Sequence, residues 1–226
     1  TPVVIRTLFG AGLRAASQHS QCLYPIFTHG PGLKVVIPSS PYEAKGLMIQ
    51  SIRDDDPVIF FEHKAMYDDT EEVPDEEYAI PFGKARLVRD GADATIVAIG
   101  RMVQFATKAA AALDAEGVHC TVLDPRTTSP LDSDAILASV NKTGRLVVVD
   151  EANPRCGMAA DIADGVVGLT PVELLFELRL SVGREIRDVA MRQNNCRWIR
   201  RIRAFVSGAG GLGQTGDQHQ QHESCR

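Results

Sequence analysis

Short apolar runs alternate with helical patterns through the first 150 residues. Val3–Arg6, Lys34–Ile37, Val58–Glu62, Thr95–Ile99, His119–Leu123 and Arg145–Val149 are mostly unbroken aliphatic or β-branched stretches, as expected of strands whose sheet is covered on both faces. A helix is marked out between the second and third runs. Ser40 supplies an N-cap, Pro41 fits the first helical position, and Glu43 is placed to close a capping box. Ala44, Leu47, Met48 and Ile52 predict its buried stripe. A second helix is predicted over Met102–Glu116 with Gly117 ending it, and a third from Asp132 to Lys142 with Gly144 beyond. Repeated strand–helix–strand units imply right-handed crossovers and a doubly wound α/β fold. From Met66 to Arg89 the periodicity lapses. The acidic run YDDTEEVPDEEY reads as a solvated loop, joining a unit that ends near Lys64 to a second from Ala92 to Ala163.

Composition narrows the class. Hydrophobic residues make up 44% of the 226 and charged residues 23%, which suits a globular chain with a substantial core. No apolar run approaches the ~18–20 residues of a membrane span, and TPVVIRTLFG has no secretory-signal pattern. Five cysteines without a Cys-x-x-Cys pair argue against a disulfide scaffold or structural zinc and favour the cytoplasm. Residues 1–166 carry 15 basic and 23 acidic residues, whereas 167–226 carry nine basic, all Arg, and six acidic. A start in mid-strand without Met suggests a fragment.

Nucleotide-loop motifs are weak. Gly10-Ala11-Gly12 lacks the third glycine of a dinucleotide fingerprint, and GAGGLG at 208–213 lacks the strand–helix context. The stretch after the first strand is the better candidate, because α/β sheets bind ligands at strand carboxyl ends. His19 lies in it, and an imidazole suits proton transfer near pH 7; holding the loop by hydrogen bonds is an equally good reading. Asp150 and Glu151 fit either a subunit interface or an exposed turn. Cys156 reads as structural, and His29 and His63 show no partner.

RTLFGAGLRAASQHSQCLYPIFTHGPGLKVVIPSSPYEAKGL, IRDDDPVIFFEHK, VLDPRTTSPLD and TGRLVVVDEANPRCG follow one another in order. Together they resemble the beta subunits of thiamine-diphosphate-dependent 2-oxo-acid and acetoin dehydrogenases, continuously to about residue 165. The DEANPRC wording is similar to the acetoin-cleaving branch. The resemblance implies a transketolase-like α/β fold: a partial pyrimidine-binding domain over 1–80, an incomplete transketolase C-terminal-type domain over 81–165, and an atypical tail over 166–226. It further implies an α2β2 assembly whose alpha subunit holds Mg2+ and the diphosphate, cleavage of acetoin, and delivery of a two-carbon unit to a lipoyl group on a partner acyltransferase. Pyruvate or a branched-chain 2-oxo acid is the alternative substrate. His19 matches the family histidine implied in proton transfer, and Ser51, Ile52, Asp54 and Asp56 match a loop implied in K+ binding. Helix termination by solvated acids is the bland reading of that loop.

The family's segment bearing the glutamate that contacts the thiamine aminopyrimidine precedes the matched region and has no counterpart here, so the chain is expected to be inactive alone and to expose sheet edges. An inactive fragment that still docks to partner subunits is the competing, non-catalytic expectation. After Val166, VELLFELRLSVGREIRDVAMRQ is read as a helix. The Arg-only, Gly-clustered, Gln/His-rich remainder reads as translation in a shifted frame. The rival is a basic extension around Arg197–Arg203 and Trp198, although neither nucleic acid nor membrane is expected as a partner. Resequencing the coding DNA should show that one restored base returns a family-like C-terminus; no such restoration would refute the frameshift.

Overall fold

The computed structural model describes residues 1–13, 16–167, 169 and 173–179, with backbone only at 167 and 173–179. In chain order the elements are β1 (Val4–Phe9), α1 (Tyr24–Thr28), β2 (Lys34–Val36), α2 (Pro41–Arg53), β3 (Val58–His63), β4 (Arg86–Arg89), β5 (Ala94–Ala98), α3 (Met102–Asp114), β6 (Cys120–Asp124), β7 (Thr127–Ser129), α4 (Ser133–Thr143), β8 (Arg145–Asp150), α5 (Met158–Val167) and β9 (Glu173–Arg179). The strands form two sheets, ordered β1-β3-β2-β7 and β4-β6-β5-β8-β9. Each is parallel except for one antiparallel edge strand, β7 or β4.

Three apolar clusters follow from the sheet faces. Val36, Leu47, Val58, Phe60 and Ile80 pack between the first sheet and α2. The Ala-rich α3 packs through Ala106, Ala109, Ala110 and Leu113 on Ile96, Val122 and Val147 of the second sheet. The third cluster is shared: Phe9, Tyr24, Ile37 and Phe61 meet Val97, Leu123, Val148, Ile136 and Ile162. The two sheets are therefore fused by one apolar core.

The α2 helix begins as predicted, with the Ser40 hydroxyl accepting the Glu43 amide at 3.4 Å. Its capping box is not closed, however. The Glu43 carboxylate is fully buried and turns to Arg86 at 3.0 Å and to Arg126 at 2.7 and 2.9 Å. The helix is rotated accordingly. Glu43, Gly46, Leu47 and Ser51 form the buried face, while Ala44, Met48 and Ile52 line an open groove of about 750 Å³ against Val4 and Phe60 of the first sheet. Ile52, expected inside, is 68% exposed. Two guanidiniums decide the orientation, because a buried carboxylate without paired cations is far more costly than an exposed isoleucine.

The other predicted helices end as read. Asp132 caps α4 by accepting the Ala135 amide at 3.2 Å, and Gly144 closes it in the left-handed conformation. Beyond α3, Gly117 takes φ +77°. Glu173–Arg179, expected as helix, is the strand β9 beside β8. Leu174, Phe176 and Leu178 recur at every second position, the strand period that competed with the helical one. The remainder of that expected helix, the GAGGLG stretch and the Arg197–Arg203 segment lie outside the described residues.

Asp124 ends β6 at the seam between the sheets. Its buried carboxyl group accepts the Ser39 hydroxyl at 2.5 Å and the Arg126 amide at 2.8 Å, and Arg126 takes φ +62° as the chain turns into β7. Burial pushes the Asp124 acid up to about 6 against an ordinary 3.8, although both hydrogen bonds favour the carboxylate. The folded state therefore holds a proton that the unfolded chain releases. This contribution is complete below about pH 4 and is lost as pH rises through about 6. Urea midpoints measured from pH 4 to 7 should show that decline, and Asp124→Asn should flatten it.

Candidate functional site

The carboxyl ends of β1, β2 and β3 face those of β5 and β8. The closeness of this approach is read from Gly100, after β5: it takes φ +56°, and a Cβ there would lie 2.9 Å from Ile37 and 3.4 Å from Phe9. Tyr24 of α1 is buried in the seam, edge-on to Phe9 and Phe61, and its hydroxyl donates to Asp150. Burial raises the Asp150 acid, and burial together with Asp150 raises the Tyr24 phenol. Burial likewise pushes the Cys22 thiol well up, which leaves it a poor nucleophile.

His19 closes a 3-10 turn, Ser17–His19, in the loop that follows β1. It is exposed and lies on a cleft of about 370 Å³ whose walls include Phe9, Phe27, Phe61, Gln18, Gln21 and Lys64. Among the described residues, the side chains of His19 and Lys64 make no hydrogen bond or ion pair. An apolar wall with an unoccupied imidazole and ammonium suits a flat organic ligand that undergoes proton transfer. Among the described residues, no carboxylate lines this cleft.

Below the loop lies a polar pair that the sequence did not reveal. The His63 ring is completely buried and the Glu151 side chain is 7% exposed. One Glu151 oxygen meets His63 Nε2 at 2.7 Å, and the other accepts the Ala11 amide at 2.7 Å. His63 Nδ1 accepts the Ala65 amide at 3.2 Å. That bond assigns the proton to Nε2, which donates to Glu151. His63, which showed no partner in the sequence, and Glu151, expected to be exposed or interfacial, are thus a buried pair joining the ends of β3 and β8. Both occupy the first positions at or after a strand's carboxyl end, the signal that could have found them. Cys156, by contrast, is exposed with φ +57°.

Ser51, Ile52, Asp54 and Asp56 lie elsewhere, near the amino ends of β2 and β3. Ser51 Oγ donates to the Leu47 carbonyl at 2.7 Å, and the Ser51 carbonyl accepts the Asp54 amide at 3.4 Å. Lys34 reaches Asp54 at 2.5 Å and Asp56 at 3.2 Å. Hydrogen bonding to Asp54 raises the Lys34 ammonium; burial opposes ionisation of Asp54, but Lys34 brings it below its usual range. An ammonium thus satisfies both carboxylates, and the donor set does not fit K+ beside it. No cluster of three His, Cys, Asp or Glu side chains suited to a metal occurs among the described residues. None of the described helices is long and apolar enough to cross a membrane.

Residues 1–70 match the pyrimidine-binding domain of transketolase, and residues 83–176 match the transketolase C-terminal domain. The chain belongs to the transketolase-like family. It is 63% identical over 163 residues to the acetoin:2,6-dichlorophenolindophenol oxidoreductase beta subunit of Cupriavidus necator, covering 72% of this chain and 48% of that one. The Bacillus subtilis protein of the same name is 56% identical over 162 residues, covering 72% and 47%. The pyruvate dehydrogenase E1 component beta subunit of Bacillus subtilis is 49% identical over 163 residues, covering 72% and 50%. The chain spans about half the length of these curated relatives. Among solved structures, a split-gene transketolase described as an inactive beta4 tetramer superposes with TM-score 0.68 and 21% identity over 91% of this chain and 65% of that one. That likeness establishes the transketolase-like α/β fold.

Gly10 gives this family member's loop its tightest constraint. It takes φ +87°, and a Cβ there would lie 2.2 Å from His63 Nε2. Gly10→Ala should destabilise the chain by about 2 kcal/mol or more, through clash and left-handed strain. Gly32 has φ +81° with open space around it, so Gly32→Ala should cost about 1 kcal/mol. Urea unfolding of both variants measures the difference.

Proposed function

We propose that the chain forms part of the beta subunit of a thiamine-diphosphate-dependent acetoin dehydrogenase. The observation that carries this reading is 63% identity to an acetoin oxidoreductase beta subunit, against 49% to a pyruvate dehydrogenase one. The complete enzyme would pair beta with alpha subunits in an α2β2 assembly in the cytoplasm and deliver its product to the lipoyl group of an acyltransferase. Mg2+ and the diphosphate would be held by the alpha subunit. The division into 1–80, 81–165 and 166–226 belongs to the same reading.

Phe9, Phe27 and Phe61 give the cleft an apolar wall, the surrounding that one side of the thiamine ring system would need. Bound thiamine diphosphate supplies the stabilised carbanion chemistry that side chains lack. His19, on the same cleft, would pass a proton at its ring nitrogen when the two-carbon unit moves to lipoamide. Lys64 would place a positive charge beside it. Turnover is proposed for the complete subunit assembled with its partner, since the chain spans about half the length of these relatives.

The test is a chimera in which the homologous 163-residue segment of the Cupriavidus necator beta subunit is replaced by this chain's and assembled with its alpha partner. Thiamine-dependent dye reduction with acetoin should persist and exceed that with pyruvate. His19→Ala should lower kcat by about 10²–10⁴-fold. Preference for pyruvate, or unchanged turnover in His19→Ala, would refute the assignment. Binding of the chain to the acyltransferase without any chimera turnover would favour a docking role instead.

A further inference from the structure

The loop that presents His19 is held at its base. The Gly10 amide donates to the Gln21 carbonyl at 3.4 Å, tying the two ends of the loop together. The Ala11 amide, one residue into the loop, donates to Glu151 at 2.7 Å. Gly10 packs on the His63 ring so closely that no side chain fits between them, and the Phe9 ring meets the same imidazole edge-on at 5.0 Å. On the far side, a Cβ at Gly12 would lie 3.0 Å from Ala65 and 3.1 Å from the Arg101 guanidinium.

His19 makes no side-chain hydrogen bond among the described residues, so its position comes from the backbone that carries it. Glu151 is the group that fixes that backbone from the other sheet. Its two oxygens bind two different donors, Ala11 N–H and His63 Nε2–H, at 2.7 Å each. Both bonds are charge-assisted and nearly free of solvent, where such bonds are strongest.

We propose that Glu151 is the positioning residue for His19, clamping the base of the 10–21 loop across the seam between the two sheets through Ala11 and His63. The significance of His19 rests on the function proposed above; the clamp itself does not, and it is measurable without substrate. A glutamate is required because a glutamine offers one carbonyl oxygen and turns its NH2 toward one of the two donors.

The experiment is NMR on the full 226-residue chain with labelled histidine and backbone amides. In the unaltered protein His63 should show the Nε2–H tautomer and the Ala11 amide should exchange slowly. Glu151→Gln should speed Ala11 exchange by about tenfold to a hundredfold and should shift or broaden the His19 ring signals. Glu151→Asp, which keeps both acceptors on a shorter arm, should restore part of each effect. Unchanged Ala11 exchange and His19 signals in Glu151→Gln would overturn the proposal. If Glu151→Gln does not fold, the unaltered protein still decides, since an Nδ1–H tautomer at His63 or rapid Ala11 exchange would overturn it. A clamp that holds while His19→Ala leaves chimera turnover intact would remove the functional reading alone.

Discussion

A carboxylate cannot be left charged and dry without cations around it, and Glu43 is both fully buried and in the first turn of α2. Arg86 and Arg126, which pair with it, come from the strand that opens the second sheet and from the turn after β6. This ion cluster therefore sets relations between distant parts of the chain. It rotates α2 so that Gly46 faces Tyr78 and Ile80, where a Cβ would lie within 2.7 Å of both. It also holds Arg126 in the left-handed turn whose next residues become β7. Removing one partner would leave charge buried and unpaired, a loss of about 3–5 kcal/mol in such clusters.

The same seam makes the site. Because the sheets meet at their strand carboxyl ends, the region that an isolated α/β sheet would offer to a ligand is largely filled by Phe9, Tyr24, Ile37 and Asp150. The His19 cleft lies to one side of that filling, on the β1 and β3 side. Its floor is apolar, and of its polar groups Gln18, His19 and Gln21 sit on the loop while Lys64 follows β3. Placement of a loop side chain then depends on backbone anchors, and those anchors reach across to β8.

Much of this was legible in the sequence. All six predicted strands form within a few residues of their expected limits, because their apolar runs are long and are bounded by Gly or Pro turns. The signals at Ser40, which caps α2, and at Gly144, which ends α4, are local and were equally readable. What escaped depended on distance along the chain. Glu43 is followed by Arg86 and Arg126 only 43 and 83 residues later, so a helical pattern that seemed to bury Ile52 was overruled. The Thr-Thr-Ser stretch of β7 carries no apolar signal, and its strand character comes from β2. At the site, His19 was placed by motif and position, while His63 and Glu151, 88 residues apart, each looked unremarkable alone. Chemistry assembled from separate strand ends has no local signature.

β7 carries a consequence for how the molecule is made. The first sheet takes β1, β2 and β3 from residues 4–63 but its last strand from residues 127–129. During synthesis the amino-terminal portion emerges well before that strand exists, leaving the β2 edge open and apolar Val35 without its neighbour. Closing a loop of this length is slow relative to forming the local parallel units. The first sheet is therefore completed only after residues 127–129, which also belong to the turn that follows β6, have been made.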